Sequence, residues 1–166
     1  MKRLVWRSIM LLALTGFPSA QTRREIYVGD VRLKLGASQS SAIRDLSKKY
    51  EVGLAGIWKH GAELFLVREK DLEIGAVSFR NRRLVGTRNI LFSQTDSGDF
   101  PEALYKAVKS FTARAGTPCK IETASFSESW HGVMFRCPAS RLAVGISTDQ
   151  DGKKTAGISE IIGDAE

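Results

Sequence analysis

Cys119-Lys-Ile-Glu-Thr-Ala-Ser-Phe126-Ser-Glu-Ser-Trp130-His-Gly-Val-Met-Phe-Arg-Cys137 is the stretch that decides the fold. The two cysteines of the 166-residue chain close it at both ends. With Cys119 opposite Cys137 in an antiparallel hairpin, Ile121 faces Phe135 and Thr123 faces Val133. One register then satisfies a disulfide, an apolar face and a loop at Ser127-Glu128-Ser129, because strand side chains alternate with a period of two. Phe126 and Trp130 fall on the face away from the cysteines. A turn over Pro138–Arg141 then sets Leu142, Val144 and Ile146 opposite Cys137, Phe135 and Val133. A bridge across such a loop contributes roughly 3 kcal/mol by loop-closure arithmetic. Free, redox-active or intermolecular thiols are the alternative, although no Cys-x-x-Cys motif is present.

Downstream of this hairpin, Leu142–Thr148 and Thr155–Ile162 read as two more strands around a turn at Asp149-Gln-Asp-Gly152. The last strand places Ala156, Ile158, Glu160 and Ile162 on one face, so Glu160 is a candidate buried carboxylate. It is either a perturbed acid used in binding or catalysis, or an edge charge that discourages aggregation. Upstream, Asp99 caps a helix with Glu102 returning in a capping box, and Leu104, Val108, Phe111 and Ala115 recur at helical spacing. Gly116 and Pro118 stop it.

The first half carries the same order of elements. Ile26–Leu35 reads as a strand, and Ser38 caps a helix from Gln39 to about Tyr50. Four strand-like runs follow: Val52–Trp58, Glu63–Val67, Leu72–Phe79 and Arg83–Phe92. The polar Gln94–Asp99 segment is the best internal boundary. The expected fold is therefore α+β, with two helices packed on antiparallel sheet. The two halves form either two tandem helix-plus-four-strand modules, 21–95 and 96–166, or one sheet with both helices on one face.

Residues 1–20 stand apart. Lys2, Arg3 and Arg7 precede about ten apolar residues and Pro18-Ser19-Ala20, the order of a signal peptide. Cleavage after Ala20 and retention as an anchor are both open. Without these residues the chain has 22 Lys+Arg against 18 Asp+Glu, a net charge of +4 that favours solubility rather than nucleic acid. A periplasmic or secreted protein follows, with no membrane span after the signal. At 43% hydrophobic and 26% charged residues the chain is too apolar to be disordered.

Motifs that carry chemistry are few. His60 and His131 have no partner at metal-ligand spacing, and no Gly-x-Ser-x-Gly elbow, phosphate loop or dinucleotide fingerprint is present. No catalytic residue, metal or cofactor is expected. Arg80, Arg82 and Arg83, with Arg88 beyond, form the densest basic cluster, at a hairpin tip. Trp58, Phe126 and Trp130 are aromatic candidates for partner contact, either on an open sheet face or under a helix.

The strand Val31-Arg-Leu-Lys-Leu35, Gly36, the helix Ser38–Tyr50, Trp58 and the hairpin Leu72–Phe79/Leu84–Phe92 together resemble the BamE (SmpA/OmlA) and beta-lactamase-inhibitor-like modules of bacterial envelope proteins. The second half, with Cys119, Cys137 and Gly157-Ile-Ser-Glu160, is similar to uncharacterised exported bacterial proteins. The chain departs from the envelope family in lacking a lipid-attachment cysteine. The resemblance implies protein–protein binding rather than catalysis. The expectation is a non-enzymatic binding module, an envelope assembly accessory or protein inhibitor, whose partner is another envelope or secreted protein. A small hydrolase or ligand-binding protein using Glu160 or a histidine between the modules is the alternative. Oligomeric state is left open.

Overall fold

The computed structural model describes residues 26–94, 99–115, 118–127 and 129–163. The expected signal peptide over 1–20 lies outside them. Strand β1 (Ile26–Val28) and strand β2 (Val31–Leu33) form a two-stranded ribbon turned at Gly29-Asp30. The single strand expected over Ile26–Leu35 is thus two, because Gly29 takes a positive φ of 57° and reverses the chain. Helix α1 (Gln39–Leu46) follows, with the Ser38 hydroxyl accepting from the Ser41 N–H. Then come β3 (Glu51–Ile57), a single helical turn at Lys59–Gly61, β4 (Glu63–Glu69), β5 (Leu72–Arg80) and β6 (Arg83–Gln94). Helix α2 (Phe100–Ala115) leads into β7 (Lys120–Ser127), β8 (Trp130–Arg136), β9 (Arg141–Thr148) and β10 (Lys154–Gly163).

The expected α+β fold of helix-plus-four-strand modules is corrected here. Of the described residues 57% lie in strands and 19% are helical. The two four-strand runs are fused into one eight-stranded antiparallel sheet of order β3-β4-β5-β6-β10-β9-β8-β7. The fusion comes from β6 and β10, the two longest strands, which pair from Gly86↔Gly163 to Gln94↔Ala156 around one bulge. Nothing local in either strand specifies a partner some seventy residues away in sequence.

Register shows that both helices stand on the same side. Val67, Val77, Phe79 and Leu84 pack with Ala42 and Leu46 of α1 and with Val28, Val31 and Leu33 of the ribbon. Leu142, Val144 and Ile158 pack with Ala107 and Phe111 of α2. Val77 pairs with Thr87 and Thr87 with Ile162, which shares its face with Ile158, so the two clusters lie on one face of one sheet. Full burial of such Leu, Val and Phe side chains contributes roughly 1.5–3 kcal/mol each.

The cysteines are joined, with Cα atoms 4.5 Å apart, and both lie against the α2 cluster. Ile121↔Phe135 and Thr123↔Val133 pair as expected. The loop differs: Ser127 pairs with Trp130, and a bulge falls at Phe126. The next hairpin also differs, by two residues, with Leu142 opposite Phe135 and Val144 opposite Val133. The Cys137 N–H donates to the Ser140 carbonyl, closing the turn one residue earlier than expected. A shift of two keeps every side chain on its face.

The ribbon is clamped by Asp30 to the segment between α1 and β3. Its carboxylate accepts hydrogen bonds from the Lys49 ammonium and the Tyr50 hydroxyl, the latter at 2.6 Å. These bonds lower the Asp30 pKa, the Lys49 bond most, and the bond to Asp30 raises that of Tyr50. A depressed carboxylate stabilises the fold above its unfolded pKa of about 3.9 and loses that contribution as pH falls through the folded value. A raised phenol stabilises below about 10 and loses its contribution as pH rises through the folded value. In Asp30→Asn, the Tyr50 titration, read by tyrosinate absorbance, is expected to move down, and the acid limb of the stability profile to flatten. An unmoved Tyr50 would show that the clamp does not form. Replacing both Cys119 and Cys137 by Ser is expected to cost about 3 kcal/mol in denaturant unfolding. Unchanged unfolding would remove the bridge from the account of stability.

Candidate functional site

With both helices on one side, the other face of the sheet has no covering element among the described residues. On it the strands of the second half carry rows of directly opposed residues. Gly157, Gly145 and Gly132 form one row across β10, β9 and β8. Beside it run Ser159, Ala143 and Met134, ending at Glu122 of β7. Trp130 stands at the next row, opposite Ser147, and its indole lies along the glycines. A Cβ added at Gly132 or Gly145 would run into that indole and into the neighbouring strand's backbone. Only glycine leaves room for an aromatic ring laid flat on a sheet. At Gly157 the floor is open, since an added Cβ meets nothing nearer than the Phe92 carbonyl oxygen at 3.9 Å.

Small residues also explain why this face buries Ala76, Ser78, Ala143 and Ile161 without a helix above it. Their neighbours are long: Arg80, Arg88, Arg136, Arg141 and Trp130 share the face. Arginine stems cover apolar floor while the guanidinium reaches water. Arg88 is paired with Glu73, and the Arg136 Nε lies 3.2 Å from Glu122 Oε2. Arg141 donates to the Gly163 carbonyl.

The candidates named from sequence do not converge. Trp130 lies on the open face, on the side away from the disulfide, as its alternation implied. The Phe126 side chain lies outside the described residues. Trp58 is exposed at the end of β3, six strands from β8, or about 29 Å at the usual strand spacing. Arg80 reaches the open face at the end of β5. Arg82 sits in the β5–β6 turn at φ 59°, where its carbonyl accepts from the Gln39 N–H. Arg83 donates to the Gly36 carbonyl, holding the entry to α1. The tip of this hairpin is therefore partly spent on structure.

Glu160 is half-buried on the helix side, between Asn89 and Leu142. His60 is exposed in the turn after β3 at φ 68°, and His131 is exposed on β8, towards the other edge of the same sheet. Neither histidine sits in a cluster: among the described residues no three His, Cys, Asp or Glu could hold a metal ion. No described helix is long and apolar enough to cross a membrane.

Sequence reasoning missed Lys120, Arg136 and Arg141. The signal was available, since the hairpin register that pairs Ile121 with Phe135 also sets Lys120 opposite Arg136.

Among the described residues these observations define an antiparallel β protein with one helix-covered face and one open face, stapled by a disulfide. No protein-family model, curated protein or solved structure matches the chain.

The two kinds of glycine on the open face give opposite expectations. Gly145→Ala displaces the indole and is expected to cost about 1–3 kcal/mol with a change in tryptophan emission. Gly157→Ala has room and is expected to be neutral or stabilising by up to about 1 kcal/mol. Equal effects would place Trp130 elsewhere.

Proposed function

We propose that the chain is an exported, non-enzymatic protein-binding module of the bacterial envelope, an assembly accessory or a protein inhibitor, that contacts its partner through the open face of the sheet. The observation that carries this reading is a sheet face with no covering element among the described residues: a tryptophan lies on a glycine floor beside arginines, and both helices stand on the other side. Aromatic and arginine side chains are the usual anchors of protein interfaces. The likeness of the first half to envelope binding modules points the same way, as do the joined cysteines, which suit an oxidising compartment. A catalytic reading needs a polar cluster in reach of one reacting atom, and His60, His131 and Glu160 lie on different strands and turns.

Crosslinking capture from an envelope extract of the source cell, read by mass spectrometry, tests the proposal. One stoichiometric partner is expected. It should be lost in Gly157→Gln, at a position where an added Cβ meets nothing nearer than 3.9 Å, and kept in Tyr105→Ser on the exposed side of α2. Retention in the first variant and loss in the second would put the contact on the helix side and overturn the proposal. An empty capture would do the same.

A further inference from the structure

Among the described residues the eight-stranded sheet ends at β3 on one side and β7 on the other, and the two edges are built differently. β7 carries Lys120 and Glu122, and charged side chains on an edge strand discourage pairing with another sheet. β3 begins at Glu51 and has no other charge through Trp58, and it contains no proline to interrupt a ladder. Its apolar side chains meet water: Leu54 is 61% exposed and Ile57 75%. The edge of β3 thus offers a further strand a run of apolar backbone that β7 does not.

The sequence of β3 also selects the strand that fits it. Val52, Gly53 and Leu54 pair with Val67, Leu66 and Phe65, and Gly56 and Ile57 with Leu64 and Glu63, so Ala55 is the extra residue of a bulge. Val52, Leu54 and Ile57 therefore share the helix side, where Val67 is buried under α1, and Gly53 and Gly56 share the other side. With the bulged Ala55 set aside, Val52-Gly53-Leu54-Gly56-Ile57 reads nearly the same in both directions. A bulge commonly turns an edge away from pairing. This one brings Gly56 and Ile57 into phase with Gly53 and Val52.

We propose that β3 pairs antiparallel with β3 of a second copy of this chain, across a two-fold axis that passes normal to the sheet at Leu54. Leu54 then faces its own copy, Val52 faces Ile57, and Gly53 faces Gly56. An axis normal to a sheet keeps every side chain on its own side. Apolar residues therefore meet apolar residues on the helix side, and glycine meets glycine on the other. An isologous two-fold contact demands this self-complementarity, since the same patch must fit itself. Leu54 and Ile57 are withdrawn from water by the pairing, which favours it. The assembly closes at two copies, because each edge left over is a β7 with its charges. One strand and a few side chains per copy make a contact at the small end of specific interfaces, so the dimer is expected to dissociate on dilution. The edge is separate from the open face, and self-pairing and partner binding stand or fall independently.

Sedimentation velocity of the purified chain over a range of concentrations tests the pairing. Twice the monomer mass is expected at high concentration, falling to the monomer mass on dilution. Leu54→Lys sets two ammonium groups against each other at the axis and is expected to give monomer throughout, with the fold intact by circular dichroism. Ile121→Lys, at a similarly exposed position on β7, is expected to leave the dimer unchanged. A thiol at the axis reads the register. Directly opposed residues of an antiparallel pair have Cα atoms about 4.5–5.5 Å apart, within reach of a disulfide. The two native cysteines are joined to each other, so Leu54→Cys carries a single free thiol. Mild oxidation is expected to link it into covalent dimers and to leave Tyr105→Cys, exposed on α2, unlinked. Monomer at every concentration, a dimer that persists in Leu54→Lys, or assemblies larger than two would each overturn the proposal. A dimer in which Leu54→Cys stays unlinked overturns it as well. So does a chain that is monomeric alone but loses its crosslinked partner in Leu54→Lys, which gives the edge to a partner's strand instead.

Discussion

The pairing of β6 with β10 is the constraint on which the rest of the structure depends. Each half of the chain ends in its longest strand, and the two meet antiparallel at the centre of the sheet. Separate four-stranded sheets would each expose two edges and support one small core. Joined, they leave β3 and β7 as the edges among the described residues, and the central strands gain hydrogen-bonded neighbours on both sides. The same pairing aligns the two apolar clusters on one face. Each helix then covers its own half, with Leu46 of α1 and Phe111 of α2 fully buried. Without that junction neither helix would share a side with the other, and neither face of the sheet would be open across eight strands.

The two faces solve the burial problem differently. Under the helices, large side chains interdigitate with a second layer. On the open face, the floor is built from glycine, alanine and serine, and its burial comes from arginine stems and one indole lying down. That arrangement keeps backbone and small side chains dry without a covering element. It also spends little stability on the guanidinium groups, because exposed ion pairs such as Arg136–Glu122 are worth little. Changes at those positions therefore cost the fold little.

What was legible in the sequence follows the range of the interactions. The β7–β8 register could be read because a disulfide and an alternation of apolar residues constrain the same hairpin. The cap at Ser38 and the extents of most strands were legible for similarly local reasons. The Gly29-Asp30 turn was overlooked although the apolar alternation changes phase across it, from Ile26 and Val28 to Val31 and Leu33. The pairing of β6 with β10 had no local signature, so one sheet and two modules remained equally open. The aromatics suffered in the same way: Trp58 and Trp130 are far apart once strand order is known, and their grouping rested on residue type alone.

The row of Arg88, Arg141, Arg136 and Lys120 shows why a surface feature can be hidden from a linear reading. Arg88, Lys120, Arg136 and Arg141 are never adjacent in sequence, whereas Arg80, Arg82 and Arg83 are, and the eye goes to the cluster. The fold inverts that ranking. Arg83 is drawn to the Gly36 carbonyl and the Arg82 backbone to α1, so much of the conspicuous cluster is occupied in holding the first helix. The scattered cations are assembled by register alone, one per strand, into the line that meets solvent. Charge density along a β-sheet face is a property of strand order. It becomes visible only when the pairing across the centre is in hand.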